Sequence, residues 1–189
     1  MIAALVMLAL SAGDVQAVAG CGIFDEFVFS GSADERAGVE HALDVALEPM
    51  FFAVRSIARG KLRAGTHVST TIKFRKEGAL LVADAEGTQG ARSDAGGAPS
   101  YFLYSGARVI LQQHAEPTRI SQTFTTRSGG RENVYILAPE TGRVTLSVKI
   151  TAPQLPKPVS YTLTYARSPH STCQNDNERA RAPLSIAGE

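Results

Sequence analysis

Arg55, Arg59 and Arg63 recur at four-residue spacing with Lys61 among them, which on a helix puts the three guanidinium groups in one stripe. Such a stripe could hold a carboxylate or phosphate head group, or it could be the charged outer face of an amphipathic helix. Phe51 and Phe52 open the same segment and could line the mouth of a pocket or bury against a sheet. Phe51, Phe52, Arg55 and Arg59 are therefore the candidate ligand-contacting residues. The sequence offers no catalytic site beside them. His41, His67, His114 and His170 lie at no metal-ligand spacing, and no H-E-x-x-H, C-x-x-C or C-x-x-H occurs. No G-x-S-x-G elbow, P-loop or G-x-G-x-x-G follows a strand pattern. The acidic pairs Asp25/Glu26 and Asp34/Glu35 read as solvated loop charges, and Glu35 also as part of a helix cap. No metal, cofactor or enzymatic reaction is indicated.

The two cysteines, Cys21 and Cys173, stand near opposite ends of the 189-residue chain. As a pair they suit a disulfide in an oxidising compartment. Closing so long a loop would stabilise the fold by about 4–5 kcal/mol in the chain-entropy model. The segment before them supports export. Ile2–Leu10 is an unbroken apolar run followed by the small-residue patterns Val15-Gln16-Ala17 and Ala17-Val18-Ala19, the form of a secretory signal ending in a cleavage site. The run is too short to cross a membrane, which takes roughly 20 apolar residues. Cleavage after Ala19 would release a soluble periplasmic or extracellular protein. Alternatively, Val18-Ala19-Gly20-Cys21 resembles a bacterial lipobox, which would make Cys21 a lipidated first residue and the protein a membrane-anchored lipoprotein. A net charge of +1 leaves no electrostatic footprint for nucleic acid.

The elements that must position these residues change period along the chain. Residues 1–19 read as the signal, 20–173 as a single β domain carrying a helical segment at 33–59, and 174–189 as a polar disordered tail. Phe24–Phe29 suggests a short first strand. Ser32 and Glu35 form an S-x-x-E capping box in which each side chain satisfies the other's backbone donor. Val39, Leu43 and Leu47, then Met50, Val54 and Ile57, keep helical spacing on either side of Pro49, so two helical pieces, about 33–47 and 49–59, are expected, kinked at the proline and stopping at Gly60. A strand over Phe51–Ile57 is the rival reading.

From His67 the period is two. Val68, Thr70, Ile72 and Phe74 share one face, and the alternation returns through Ala79–Ala85, Ser100–Tyr104, Ala107–Gln113, Arg119–Thr126, Glu132–Ala138, Arg143–Ile150 and Val159–Tyr165. Glu86–Pro99 reads as a polar loop. The other connections are too short for parallel crossovers, so the strands must run antiparallel. The expected fold is mainly β: an antiparallel up-and-down meander of about eight strands closed as a lipocalin-like barrel, with a two-sheet β-sandwich as the alternative. Phe74, Tyr101, Phe124, Tyr161 and Tyr165 are the bulky residues expected to point inward.

Ser128-Gly129-Gly130-Arg131-Glu132-Asn133-Val134-Tyr135, Pro139–Leu146 and Leu155–Tyr165 resemble small exported bacterial proteins with a lipocalin-like β-meander. That resemblance implies strands ending in glycine-containing turns, each pairing with the next. A barrel of about eight strands has room for side chains or one small ligand. The function expected is thus an exported, non-enzymatic binding module for a small apolar or lipidic molecule. The alternative is a structural or interaction protein of the cell envelope, anchored through Cys21 if that residue is lipidated.

Overall fold

The computed structural model describes residues 22–86, 90–104 and 106–171. Ten strands, all paired antiparallel, form one sheet: β1 (Glu26–Phe29), β2 (Thr71–Glu77), β3 (Leu80–Ala85), β4 (Ala91–Asp94), β5 (Ser100–Tyr104), β6 (Ala107–Glu116), β7 (Arg119–Thr126), β8 (Gly129–Ala138), β9 (Arg143–Thr151) and β10 (Val159–Arg167). The order is β4-β3-β2-β1-β10-β9-β8-β7-β6-β5, so every strand pairs with its neighbours in sequence except β4 and β5, which stand at the two ends, and β1 joins β10. The two ends of the sheet meet at Ala95, whose N–H donates to Ala79 and whose C=O accepts from Ala115. The result is a nearly closed up-and-down barrel, not a sandwich.

Strict alternation puts one face of each strand inside. Val144, Leu146 and Val148 of β9 and Val159, Tyr161, Leu163 and Tyr165 of β10 are buried, while the intervening Thr145, Ser147, Ser160 and Thr162 are exposed. At the end of the barrel away from the helices, Phe27 packs on Phe74 at 6.4 Å between ring centroids, and Phe74 meets Tyr135 edge-on at 4.8 Å. Tyr101 departs from expectation. It pairs with Ile110, is 56% exposed, and lies on the outer face under the Arg108 guanidinium. Phe27 and Tyr135 occupy the interior in its stead.

Between β1 and β2 the chain forms two helices, α1 (Ala33–Leu47) and α2 (Phe52–Gly65), the two pieces expected on either side of Pro49. Pro49 lies in the break between them, and α2 begins at Phe52 and continues through Gly60, the expected stop, to Gly65. α1 buries Val39, Leu43, Ala46 and Leu47 over the end of the barrel. Half of the expected capping box forms: Ser32 Oγ accepts from the Glu35 N–H at 3.3 Å. The Glu35 carboxylate reaches across to Thr164 of β10. Gly31 permits this reach, because a Cβ there would lie 2.2 Å from Glu35 Oε2.

The segment read as a loop at 86–99 contains β4. Its residues Ala-Arg-Ser-Asp carry no apolar alternation, because the inward position is Ser93, buried and hydrogen-bonded. Cys21, Cys173, the signal at 1–19 and the tail at 174–189 lie outside the described residues.

Candidate functional site

The interior changes character along the barrel axis. Nearest the helices, the registered inward row is Leu111, Phe124, Arg131, Ile150 and Val159. Leu111 and Val159 are fully buried, but Phe124, Arg131 and Ile150 between them are only half-buried. Inward side chains that keep contact with solvent mark a mouth, and this mouth lies under α2.

One row deeper, the register brings Gln113 opposite Gln122 and Gln122 opposite Asn133, on β6, β7 and β8. All three are buried. Their amides form a continuous chain. Gln113 Nε2 donates to Leu81 O at 3.1 Å and Ser93 Oγ at 3.0 Å. Gln113 Oε1 accepts from Gln122 Nε2 at 2.5 Å, and Gln122 Oε1 accepts from Asn133 Nδ2 at 3.2 Å. Asn133 Nδ2 also reaches Tyr135 Oη at 3.4 Å, and Asn133 Oδ1 accepts from Arg131 Nε at 2.8 Å. Arg131 Nη1 then donates to the Gly65 carbonyl at 2.6 Å, at the C-terminal end of α2 where the helix dipole favours a cation. A polar track therefore runs from β3 and β4 across the inner wall to the cap.

Arg131 has five N–H donors and these contacts use two of them. Its charge acts on Tyr135 and Tyr161, lowering the cost of ionising them, yet burial dominates. The Tyr135 hydroxyl is pushed up to about 12 from 10.0, chiefly by desolvation. Burial also raises Tyr161 and Tyr165 above the ordinary tyrosine value. These hydroxyls therefore stay neutral near pH 7, able to donate and accept, while Arg131 supplies the positive charge.

The residues singled out from sequence lie on or just before α2, outside the barrel interior. Phe51 and Phe52 are 78% and 79% exposed, and α2 buries no residue. The arginine stripe forms as the spacing predicts, but it faces α1. Arg59 pairs with Asp44 and Arg63 with Glu40, while Arg55 donates to the Glu48 and Met50 carbonyls. These contacts anchor α2, which otherwise rests on half-buried Ala58 and Leu62. His41, His67, His114 and His170 are all exposed, and no metal-binding cluster exists among the described residues. No described helix is long and apolar enough to cross a membrane.

Sequence reasoning missed Gln113, Gln122, Asn133 and Arg131. Each sits on the period-two face shared with apolar residues: Gln113 follows Val109 and Leu111, and Asn133 precedes Tyr135 and Leu137. A polar residue in phase with a buried face was the available signal.

No protein-family profile matches the chain, and no curated protein is similar to it in sequence. Among solved structures, a secretory abundant heat soluble protein from Ramazzottius varieornatus superposes with a TM-score of 0.49 at 11% identity, over 76% of this chain and 93% of that one. Fatty-acid-binding protein 1 from Echinococcus granulosus gives a TM-score of 0.44 at 10% identity, over 76% and 94%. A fatty-acid-binding protein from Drosophila melanogaster brain gives 0.44 at 11% identity, over 77% and 98%.

Proposed function

We propose that the protein is a non-enzymatic binding module that takes a small apolar or lipidic molecule into the helix-capped end of the barrel. Phe124, Ile150 and Leu111 offer apolar contact, and Arg131 with Asn133 receives a polar or anionic head group. The observation that carries this reading is the buried row Gln113–Gln122–Asn133 leading to Arg131 at a half-open mouth. A core serving only to hold the fold gains nothing from such a row, since apolar side chains of similar volume do as well or better. The weakly seated α2 supports the same reading, because it can move aside to admit the ligand.

Export and a Cys21–Cys173 disulfide belong to the proposal. Their support is that Arg167, which pairs with buried Asp25, also donates to the Gly22 carbonyl, while Ser171 bonds Asp25. The residues adjoining the two cysteines in sequence thus meet at one end of the barrel. The aromatic stack of Phe27, Phe74 and Tyr135 favours the alternative, an envelope protein with a filled core.

Native mass spectrometry of protein purified from its own host separates the readings. A co-purifying small molecule, lost in Arg131→Met, is expected. A bare polypeptide mass, together with no uptake of long-chain carboxylate or neutral lipid probes, would favour the filled structural core.

A further inference from the structure

β1 is too short to cover β10. It pairs only with Tyr165, Ala166 and Arg167, and the ladder ends where the Ser30 N–H donates to the Thr164 carbonyl at 3.0 Å. The Thr164 N–H points the same way and donates to Glu35 Oε2 at 2.6 Å. N–H and C=O groups of alternate residues point to the same side of a strand. The backbone groups of Thr162 and Ser160 therefore also face the side where β1 has stopped. Among the described residues no strand pairs with them there, and no other backbone group bonds to them. α1 runs alongside without filling the space. A groove of about 410 Å³ remains, bounded by Gly38, His41, Ala42 and Val45 of α1, by Pro158 just before β10, and by Ser160 and Thr162 of β10. The groove has open space over Gly38, where a Cβ would meet nothing within 4 Å.

We propose that this edge binds an extended peptide segment of a partner protein, which lies antiparallel to β10 and continues the line of β1. Peptide backbone is the complement the site lacks: alternate guest residues exchange both N–H and C=O with Thr162 and Ser160. The β1–β10 ladder sets the register. Pro158, which has no N–H, and the Glu35–Thr164 bonds mark its two ends. Ala42 and Val45 select apolar guest side chains of modest size at alternate positions. An alkyl chain would strip water from these backbone groups without pairing them. A second copy of the barrel would have to bring a whole sheet edge past α1, which a single extended segment does not.

The test is selection of a displayed random-peptide library on the intact protein, followed by binding measurements on the recovered peptides. Gly38→Leu fills the groove and Gly38→Ala leaves it open while preserving the helix. Peptides are expected to shift the Ser160 and Thr162 amide resonances. They should bind Gly38→Ala normally and Gly38→Leu at least about tenfold more weakly. Methylating alternate guest amides should abolish binding. Lipid-probe uptake at the barrel mouth should be unchanged in both variants, which separates this site from the one proposed above. Failure to recover peptides, equal binding to Gly38→Leu, or tolerance of amide methylation would overturn the assignment. Wild-type dimerisation abolished by Gly38→Leu would also overturn it, in favour of a second copy.

Discussion

Replacing Gln122 by leucine tests whether the inner polar row is a bonded unit. Gln122 is the middle link: its Nε2 satisfies Gln113 Oε1 and its Oε1 satisfies Asn133 Nδ2. Leucine matches its volume closely, so little cavity forms. Gln113 Oε1 is left buried without a donor, and Asn133 Nδ2 keeps only the long bond to Tyr135. An orphaned buried polar group costs about 1–3 kcal/mol, so Gln122→Leu should destabilise by about 2–3 kcal/mol. That corresponds to a fall in melting temperature of roughly 5–10 °C for a domain of this size. The triple change Gln113→Leu, Gln122→Leu, Asn133→Leu removes the three amides together and adds apolar burial, while Ser93 Oγ keeps its bond to the Asp94 carbonyl and half-buried Arg131 keeps its bond to Gly65. It should return to within about 1 kcal/mol of the wild type. Urea unfolding followed by circular dichroism and tyrosine fluorescence measures both. A single variant within about 0.5 kcal/mol of wild type would refute the reasoning, as would a triple variant whose loss equals the sum of its parts. The proposed function adds a further expectation: the triple variant folds but no longer discriminates between polar-headed and fully apolar ligands.

Alkaline stability should follow Tyr135. Its folded value is raised to about 12 from 10.0, so below pH 10 its contribution is complete, and stability falls between about pH 10 and 12 as the unfolded chain ionises first. Tyrosinate absorbance and unfolding free energy measured across that window check this, and Tyr135→Phe should flatten the decline. Asp25→Ala should cost about 3–5 kcal/mol in urea unfolding, because Arg167, only 14% exposed, loses its buried partner. A loss below about 1 kcal/mol would mean that the other contacts of Arg167, the Gly22 carbonyl among them, already serve that charge. Arg59→Ala with Arg63→Ala removes two exposed ion pairs, so global stability should change by less than about 1 kcal/mol per pair. Hydrogen exchange in α2 should nonetheless accelerate, and uptake of a lipid probe should quicken. Unchanged exchange in α2 would show that the helix is held by other contacts.

The barrel was legible because Val144, Leu146, Val148 and Ile150, like Val159 to Tyr165, alternate without interruption and the turns are short. β4 was not legible. Its inward Ser93 is there to meet Gln113, a partner twenty residues on whose position only the closed sheet reveals. The same holds for Arg131 and Asn133: period-two phasing puts them inside, but their bonds, to Gly65 at the end of α2 and to Gln122 on the neighbouring strand, arise only in the folded barrel. The α2 arginines were found by spacing. Their partners, Asp44 and Glu40, lie on another helix, and sequence spacing along one helix cannot reveal a facing one. Phe51 and Phe52 look like core residues by type. They stay exposed because α1 has already covered the barrel end with Val39, Leu43 and Leu47.

The most direct test of the central claim is a side-chain NMR titration with a long-chain carboxylate, a lysophospholipid and a neutral apolar lipid. The account predicts that at least one of them shifts the methyls of Ile150, Leu111 and Val159 and the side-chain amides of Gln122 and Asn133, with the anionic ligands also moving Arg131 Nε. Shifts confined to Val54 and Ile57 on the outer surface of α2, or no shifts with any of the three, would contradict it.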